Sequence, residues 1–352
     1  MWCLGVGLIR AYNLCSLSLH KLCAHLMQEK ILDFLKRKQD YVSGEEISHR
    51  LGVSRQALWK HIQELKDMGY DIVAMPHLGY RLASVPDRLF PSEISYHLNT
   101  KFVGKKIYYF DTVSSTMDVS VQLGMRGSPE GTLVLAETQT KGRGRLGRSW
   151  FSPKYKGIYL SLILRPEILP LQASILTLFS AVSICEAIKN ITGLEAQIKW
   201  PNDILVHHKK LGGILTELNA EMDEVRFVAI GIGLNVNNDK RTLVSGATSL
   251  KEQKKENIDR IELLKEILRK IEENYLFFQE EGSRSILEKW RDYNITLGKR
   301  IKVFCHRQHI EGVAVDIDAD GGLLVRNDSG LTQKVTAGDV VHCNQRQLKI
   351  YS

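Results

Sequence analysis

The sequence predicts an α+β protein built from three successive units, because three patterns follow one another along the chain. Residues 27–84 show helical apolar spacing followed by a short hairpin pattern, whereas strand-like and helix-like segments alternate over 91–295. Short apolar segments between glycine-rich turns fill 298–350, which is typical of a small β-barrel. Residues 85–90 are predicted to be a short linker, and a length of 352 residues accommodates three domains.

The composition excludes several classes of protein. Hydrophobic residues make up 43% and charged residues 25% of the chain, as in an ordinary globular protein. No apolar run reaches the roughly 20 residues of a membrane helix, so we expect no membrane partner. The six cysteines are dispersed and include no Cys-x-x-Cys pair, so we expect reduced thiols, no metal site and a cytoplasmic location. The net charge of +8 permits a nucleic-acid partner without requiring one.

Residues 1–26 stand apart from the rest of the chain. They are mildly apolar and rich in Cys and Leu, but Arg10 interrupts the apolar stretch and no clear cleavage site follows, which argues against a secretory signal. We expect an N-terminal extension here. The alternative is that translation begins at Met27, where the helical pattern starts.

Residues 27–84 are predicted to form a winged helix-turn-helix. A first helix spans 27–38, Ser43 caps a second, and Ser54 caps a third that runs to about residue 68, before a hairpin at 70–82 that forms the wing. Arg and Gln side chains read guanine and adenine edges in the major groove. The candidate DNA-binding residues at the start and on the outer face of the third helix are Ser54, Arg55, Gln56, Trp59, Lys60 and Gln63. The alternative is a three-helix packing module that does not touch DNA.

The central unit is predicted to contain a partly antiparallel sheet covered by helices. A tight turn at 219–223 joins the last two strands, and the apolar helix at 171–190 should cover one face of the sheet. The predicted strands are 106–110, 132–137, 157–164, 195–200, 203–207, 211–218 and 225–236. The predicted helices are 117–124, 171–190, 256–281 and 286–293.

Residues 141–153 (KGRGRLGRSWFSP), here called the Arg-Gly loop, are the most informative stretch of the chain. Glycine lets backbone N–H groups approach a ligand closely, and arginine supplies a permanent forked positive charge. Trp150 offers a flat face for a purine ring. The loop lies between two apolar strands and therefore predicts a binding site for a nucleotide or acyl-nucleotide. The alternative is a disordered Arg-Gly tail of the kind that binds RNA.

Four other features are candidates for the same pocket. Lys199 ends a strand just before a proline-fixed turn in the stretch 199–203 (KWPND), although a solvated surface lysine is the alternative. The stretch 111–116 (DTVSST) leads into a helix, where hydroxyl and free N–H groups could hold a polar head group or serve only as a cap. Gln139 precedes the Arg-Gly loop. The stretch 231–235 (GIGLN) offers close approach and the amide of Asn235, or is a packed strand.

Together these stretches resemble the biotin protein ligase family. The stretches 142–148 (GRGRLGR), 199–203, 210–217 (KLGGILTE) and 231–235 stand in that family's order and spacing, and the resemblance covers about 27–345. It implies a central domain like that of class II aminoacyl-tRNA synthetases and a C-terminal SH3-like barrel. The winged helix is similar to that of bifunctional bacterial members, which also repress the biotin operon.

The resemblance implies an ATP-dependent reaction that forms biotinyl-5′-AMP and then transfers biotin to a lysine of a biotin carboxyl carrier protein. Lys199 and Arg145 would be catalytic, because an attack of a carboxylate on the α-phosphate needs clustered cations. The residues implied for biotin are Ser115, Thr116, Met117, Gln139, Arg143, Gly144, Arg145 and Lys199. Those implied for the adenylate are Arg148, Trp150 and Asn235. Mg²⁺ would accompany ATP, although no motif places its ligands.

Two further expectations follow from the resemblance. Biotinyl-5′-AMP should act as a corepressor that promotes a homodimer and binding to operator DNA, through ordering of the Arg-Gly loop. Met117 departs from the family, which commonly has Asn after the Ser-Thr pair, so one polar contact near biotin is in doubt. The rival functions are a lipoate or octanoate ligase or transferase, and a ligand-sensing repressor that has lost catalysis.

Overall fold

The structure is a computed structural model that describes residues 19–305 and 308–342. Most of the predicted N-terminal extension and the end of the predicted C-terminal unit, residues 343–350, lie outside the described residues. Three groups of elements follow one another along the described chain. They correspond to the helical, mixed and all-β patterns of the sequence.

The first group is a three-helix unit with a two-stranded wing. Its elements are α1 (Leu19–Lys38), α2 (Gly44–Leu51), α3 (Arg55–Asp67), β1 (Asp71–Met75) and β2 (Gly79–Ser84). Ser43 and Ser54 accept hydrogen bonds from the first-turn N–H groups of α2 and α3, both at 3.1 Å, as their predicted capping roles require. The α1 helix begins at Leu19, earlier than the sequence predicted. Leu58, Ile62 and Leu65 of α3 are buried in the core of the unit, as predicted.

The second group is built on a seven-stranded sheet. Its strands are β3 (Ile107–Phe110), β4 (Leu133–Ala136), β5 (Gly157–Leu164), β6 (Gln197–Lys199), β7 (Asp203–Val206), β8 (Lys209–Ala220) and β9 (Val225–Asn235). Its helices are α4 (Pro91–Ser95), α5 (Thr116–Met125), α6 (Ala173–Thr192), α7 (Leu250–Lys254), α8 (Arg260–Glu281) and α9 (Ser283–Tyr293). The strand order is β3-β4-β5-β9-β8-β7-β6, and only β3 and β4 run parallel.

Both faces of this sheet are covered, because alternate residues of each strand point to opposite sides. Leu133 and Leu135 of β4 pack into the large core beneath α6 and α8, whereas Val134 packs with Leu123 of α5 on the other face. The segment Pro170–Thr192 is long and apolar enough to cross a membrane by length and composition, contrary to our count from the sequence. Of its 18-residue apolar window, 67% is buried inside the protein, where the segment serves as a core helix.

The third group is a five-stranded antiparallel sheet in the order β13-β12-β11-β10-β14. Its strands are β10 (Arg300–Cys305), β11 (Gln308–Ile317), β12 (Leu323–Arg326), β13 (Thr332–Val335) and β14 (Asp339–His342). It is attached to the central unit at Trp200, which is 2% exposed. The indole N–H of Trp200 donates to the carbonyl of Gly321 at 3.1 Å, and its backbone N–H donates to the hydroxyl of Thr296 at 3.0 Å.

The predicted linker 85–90 is not a solvated connection. Leu89 and Phe90 are buried, and the Leu89 N–H donates to the carboxylate of Glu137 at 2.7 Å. The guanidinium of Arg260, itself fully buried, pairs with Glu137 at 2.9 Å and with Asp87 at 2.8 Å. A buried charge is tolerated only when it is paired and hydrogen-bonded, so this cluster fixes the linker onto the central unit. The charged residues that anchor it lie far away along the chain, which is why the local pattern did not reveal it.

Candidate active site

One cavity of about 450 Å³ collects the residues that the sequence singled out. It is bounded by strands β5, β8 and β9, the turn between β6 and β7, the Arg-Gly loop and the start of β14. Every residue predicted to contact biotin or the adenylate lines it: Ser115, Thr116, Met117, Gln139, Arg143, Gly144, Arg145, Arg148, Trp150, Lys199 and Asn235. Four stretches that are distant in sequence therefore meet at one place.

The Ser115–Thr116 pair lies at the N-terminus of α5, where backbone N–H groups lack helical partners. Ser115 is the N-cap residue, but its hydroxyl makes no capping bond, and it is fully buried with no hydrogen-bond partner among the described residues. The capping alternative is therefore wrong for Ser115. A buried hydroxyl without a partner is costly unless a ligand satisfies it. Ser115 therefore offers a polar contact to whatever fills the cavity.

The side chain of Gln139 organises this end of the cavity from within. Its carbonyl oxygen accepts from the N–H of Thr116 at 2.9 Å and from the Thr116 hydroxyl at 3.1 Å. Its amide nitrogen donates to the hydroxyl of Ser152 at 3.1 Å. The Thr116 hydroxyl also accepts from Ser161 at 2.9 Å. Gln139 thus positions Thr116, a role that its place before the Arg-Gly loop did not reveal.

The Arg-Gly loop is folded back on itself between β4 and β5. The N–H of Trp150 donates to the carbonyl of Gly142 at 2.8 Å, and the N–H of Gly144 donates to the carbonyl of Arg148 at 2.7 Å. Leu146, at the tip, is 64% exposed and has a left-handed backbone with φ of 54°. These contacts make the loop part of the cavity wall, and the alternative of a disordered tail is wrong.

Two cations of the cavity differ from the others because no carboxylate pairs with them among the described residues. Lys199 is half-buried, and its ammonium makes no hydrogen bond or ion pair in the described part of the chain. Arg145 donates only to neutral acceptors, the side-chain oxygen of Asn202 at 3.1 Å and the carbonyl of Gly338 at 3.4 Å. Burial lowers the pKa of Arg145 from its usual value, although the guanidinium stays charged at neutral pH. Both cations are available to an anionic ligand.

The other two arginines of the loop are paired with carboxylates. Arg143 lies 2.8 Å from Asp118 and 3.0 Å from Glu217. Arg148 forms an ion pair with Asp339 of β14. The sequence did not reveal Asn202, although it belongs to the motif 199–203, nor Asp339, because nothing in a sequence pattern shows that the C-terminal sheet reaches the loop.

The two glycines of the stretch 231–235 make room for side chains of the protein itself. A Cβ atom on Gly231 would lie 2.7 Å from the sulfur of Met117, and one on Gly233 would lie 2.6 Å from the indole of Trp150. Real Cβ atoms essentially never come so close. We expected these glycines to let a ligand approach the backbone. Instead, the side chains of Met117 and Trp150 pack against them. The indole N–H of Trp150 is buried without a partner among the described residues.

Asn235 closes this end of β9. Its side-chain nitrogen donates to the carbonyl of Thr248 at 3.1 Å, and the residue is 6% exposed. It lines the cavity and at the same time holds the chain that follows β9. Nearby, the ammonium of Lys210 pairs with Asp203 at 2.6 Å and lies 5.9 Å from the centre of the Trp150 ring.

The residues predicted to meet DNA lie together on α3. Arg55, Gln56, Trp59 and Lys60 are exposed, with Trp59 at 57%, and Gln63 is half-buried beside them. Arg55 pairs with Glu45 at 2.7 Å on the surface, and Ser54 caps the helix. The face of α3 that is not packed is therefore polar and open.

Comparisons with known proteins agree with this geometry. Residues 109–235 match the model of the biotin/lipoate A/B protein ligase family, 27–81 match a helix-turn-helix domain, and 296–343 match the biotin protein ligase C-terminal domain. The chain is 40% identical over 320 residues to the bifunctional ligase/repressor BirA of Bacillus subtilis, covering 90% of this chain and 98% of that protein. The chain belongs to the biotin protein ligase family.

Two further members of the family are similar over most of their length. The bifunctional ligase/repressor BirA of Escherichia coli is 30% identical over 304 residues, covering 86% of this chain and 92% of that protein. The structure of the biotin protein ligase from Aquifex aeolicus in complex with biotin and ATP matches with a TM-score of 0.59 and 31% identity. That match covers 67% of this chain and 99% of the Aquifex chain.

Proposed function

We propose that this chain is a biotin–[acetyl-CoA-carboxylase] ligase that uses ATP, and that it also represses transcription of a biotin operon. The ligase joins biotin to ATP, releases pyrophosphate, and holds biotinyl-5′-AMP until a lysine of a biotin carboxyl carrier protein takes the biotinyl group. The observation that carries the proposal is the meeting of Ser115, Arg145 and Lys199 in one cavity. The similarity to two ligase/repressor proteins, which covers 98% and 92% of their lengths, supports the proposal.

The cavity has an end suited to each part of the reactants. The buried Ser115 hydroxyl and the adjacent Thr116 would hold the polar ring of biotin, with Met117 against its apolar part and Gln139 behind. Arg143, Gly144 and Arg145 would surround the biotin tail. Arg148, Trp150 and Asn235 would hold the adenylate.

The chemistry needs positive charge more than it needs a nucleophile. A carboxylate oxygen of biotin forms a bond to the α-phosphorus while the bond to the pyrophosphate oxygen breaks, so two anions must approach each other. Preorganised cations stabilise the charge that develops in such a transition state. Lys199 and Arg145 carry no carboxylate partner among the described residues, so they can give their charge to the reactants. The acceptor lysine then attacks the acyl carbon, and AMP leaves.

Mg²⁺ is part of the proposal as the companion of ATP. No group of three or more His, Cys, Asp or Glu side chains suited to a metal ion occurs in residues 19–305 and 308–342. The ion would therefore be carried mainly by the phosphates of ATP, a usual arrangement for Mg²⁺ in nucleotide sites.

The ligase half is tested by incubating the full chain with biotin, ATP, Mg²⁺ and a biotin carboxyl carrier domain, and measuring the mass of the acceptor. We expect one biotinyl addition. Lys199→Ala should abolish it, whereas Lys189→Ala, which removes an exposed lysine at the far end of α6, should not. Exchange of pyrophosphate into ATP, driven by biotin, lipoate and octanoate in turn, tests the substrate. Exchange with lipoate alone would overturn the proposal, as would full activity of the Lys199 variant.

For the repressor half, we propose that biotinyl-5′-AMP promotes a homodimer in the cytoplasm that binds a palindromic operator through the open face of α3. The exposed Arg55, Gln56 and Lys60 side chains support it, since a helix of this kind enters the major groove. A mobility shift on the biotin operon promoter tests it, with a ligand-dependent shift as the expected result. Equal binding with and without ligand would contradict the corepressor role.

The finer likenesses of the fold are also part of the proposal. We infer that the central unit is related to the class II aminoacyl-tRNA synthetases and that the C-terminal sheet is an SH3-like barrel. The mixed seven-stranded sheet and the five-stranded antiparallel sheet support these likenesses. We also propose unit boundaries at 27–84, 91–295 and 298–350.

A further inference from the structure

Three separate parts of the chain meet at the carboxylate of Asp111. Arg88 of the linker donates to one carboxylate oxygen at 2.8 Å, and the Tyr155 hydroxyl donates to the same oxygen at 2.8 Å. The ammonium of Lys154 bonds the other oxygen. Asp111 is the first residue of the stretch 111–116, and Lys154 and Tyr155 follow the Arg-Gly loop directly.

Two segments connect Asp111 with the biotin end of the cavity: the stretch 111–116, and the chain that leaves the Arg-Gly loop and contacts Asp111 through Lys154 and Tyr155. The stretch 111–116 lies beside the strand of chain that enters the Arg-Gly loop, with the N–H of Thr140 donating to the carbonyl of Val113 at 2.9 Å. It ends at Ser115 and Thr116. The chain that leaves the Arg-Gly loop also lies near this end, because the Thr138 hydroxyl, next to Gln139, donates to the carbonyl of Ser152.

One residue that donates to Asp111, Tyr155, has an unfavourable backbone conformation. Tyr155 has a φ of 60°, which a bulky side chain rarely adopts and which persists only when the surroundings enforce it. The Arg88 guanidinium lies 5.0 Å from the centre of the Tyr155 ring, and the Lys154 ammonium lies at the same distance on that ring. Arg88 therefore contacts both the carboxylate and the ring that donates to it.

Arg88 precedes the central unit in the sequence and contacts residues on both sides of the linker. Towards the central unit it also donates to the hydroxyl of Tyr109 at 3.1 Å. Its guanidinium lies 4.6 Å from the centre of the Phe90 ring, which stacks on Tyr70 of the winged-helix unit at 6.1 Å. The Tyr70 hydroxyl also donates to Glu93 of α4 at 2.8 Å, and Glu93 pairs with Lys36 of α1 at 2.7 Å. This second ion pair is almost completely buried, with 9% and 5% of its side chains exposed.

We propose that Arg88 is a positioning residue for biotin: through Asp111 it fixes the stretch that carries Ser115 and Thr116. The linker that joins the DNA-binding unit to the ligase unit thus supplies part of the support for the biotin site. This inference rests on the proposed ligase function. Arg88 does not line the cavity, so it acts on the substrate through the residues that it contacts, above all Asp111.

A residue that acts in this way should affect binding more than chemistry. Loss of Arg88 leaves Lys199 and Arg145 in place but loosens the hydroxyls of Ser115 and Thr116. The binding of the substrate and the binding of the transition state are therefore weakened equally. Such a change raises KM and leaves kcat unchanged. A charge-assisted hydrogen bond of this kind corresponds to about a tenfold change in affinity.

The experiment measures pyrophosphate exchange driven by biotin, with kcat and KM for biotin and for ATP, on the full chain. The variants are Arg88→Met, Arg88→Lys, Asp111→Asn and the double variant Arg88→Met/Asp111→Asn. Arg291→Met is the matched control, because Arg291 pairs with Asp316 at 2.9 Å and neither residue lines the cavity. Melting temperatures are measured for every variant.

We expect Arg88→Met and Asp111→Asn each to raise the KM for biotin about tenfold, with kcat and the KM for ATP unchanged. Arg88→Lys should restore part of the loss, since it keeps one charged contact. The double variant should lose less than the sum of the two single losses, because the contact between Arg88 and Asp111 is common to both variants. Additive losses, an unchanged KM for biotin, or equal effects of Arg291→Met would overturn the proposal. Absence of biotin-driven exchange in the unaltered chain would refute the ligase function instead.

Discussion

Replacing Arg260 by methionine tests the buried cluster that fixes the linker. The substitution keeps most of the side-chain volume but removes the counter-charge of Glu137, which is 0% exposed, and four hydrogen bonds to Asp87, Glu137 and Gly157. Breaking a buried ion pair from one side costs about 3–5 kcal/mol, because the remaining charge is left without a partner.

Two contacts that remain set the expected value at the lower end of that range. Glu137 keeps the N–H of Leu89 at 2.7 Å and the hydroxyl of Tyr109 at 3.2 Å, and Asp87 is half exposed, so water can solvate it. We therefore expect Arg260→Met to lower the free energy of unfolding by about 3 kcal/mol. That is a large part of the 5–15 kcal/mol that stabilises a typical domain, on an order-of-magnitude scale.

The assay is urea unfolding at neutral pH, followed by tryptophan fluorescence. Arg284→Met is the control, since Arg284 forms an exposed pair with Glu288 at 3.1 Å and should change stability by about 0.5 kcal/mol or less. The double variant Arg260→Met/Glu137→Gln should recover most of the loss, because the amide leaves no buried charge. If the double variant is as unstable as Arg260→Met, the cost is one of packing and the electrostatic reasoning is refuted.

Three other changes have definite expected results. Gly233→Ala should displace the indole of Trp150, because the new Cβ would lie 2.6 Å from the ring, and raise the KM for ATP about tenfold; an unchanged KM would remove Trp150 from the adenylate site. Ser43→Ala should lower the stability of the winged-helix unit by about 1 kcal/mol in thermal unfolding, since the cap of α2 is lost. Burial raises the pKa of Asp111, but hydrogen bonds from Lys154 and Tyr155 outweigh it and hold that pKa below its usual value. The stability that Asp111 adds over Asp111→Asn should therefore be present above about pH 4 and disappear as the pH falls through the lowered pKa; a gap that persists in acid would contradict this.

The elements of the fold could largely be predicted from the sequence. Strand β5 spans the predicted residues 157–164, and β7, β9 and α6 lie within a few residues of their predicted bounds. Apolar periodicity is a local property, and the core that these elements bury is determined by it. Helix α1 begins at Leu19, earlier than the predicted start at residue 27.

The contacts between units could not be predicted in the same way. Leu89 and Phe90 belong to a stretch that looks like a linker, and only the distant Glu137 and Arg260 show that it is buried. The stretches that line the cavity could be predicted from their residue types, but their contacts with the C-terminal sheet could not. The carboxylate of Asp339 that faces Arg148 was missed, because charge pairs across 191 residues leave no local signal.

The attachment of Trp200 has a consequence for protein engineering. The residue after the proposed catalytic lysine depends on Gly321 for its indole acceptor and on Thr296 for its backbone acceptor. A chimaera in which the chain from residue 296 onward is exchanged for that of a relative must therefore present a carbonyl and a hydroxyl at those two places. Without them the indole N–H and the backbone N–H of Trp200 would be buried without acceptors, directly beside Lys199 in the sequence. The C-terminal sheet therefore cannot be exchanged independently of the active site.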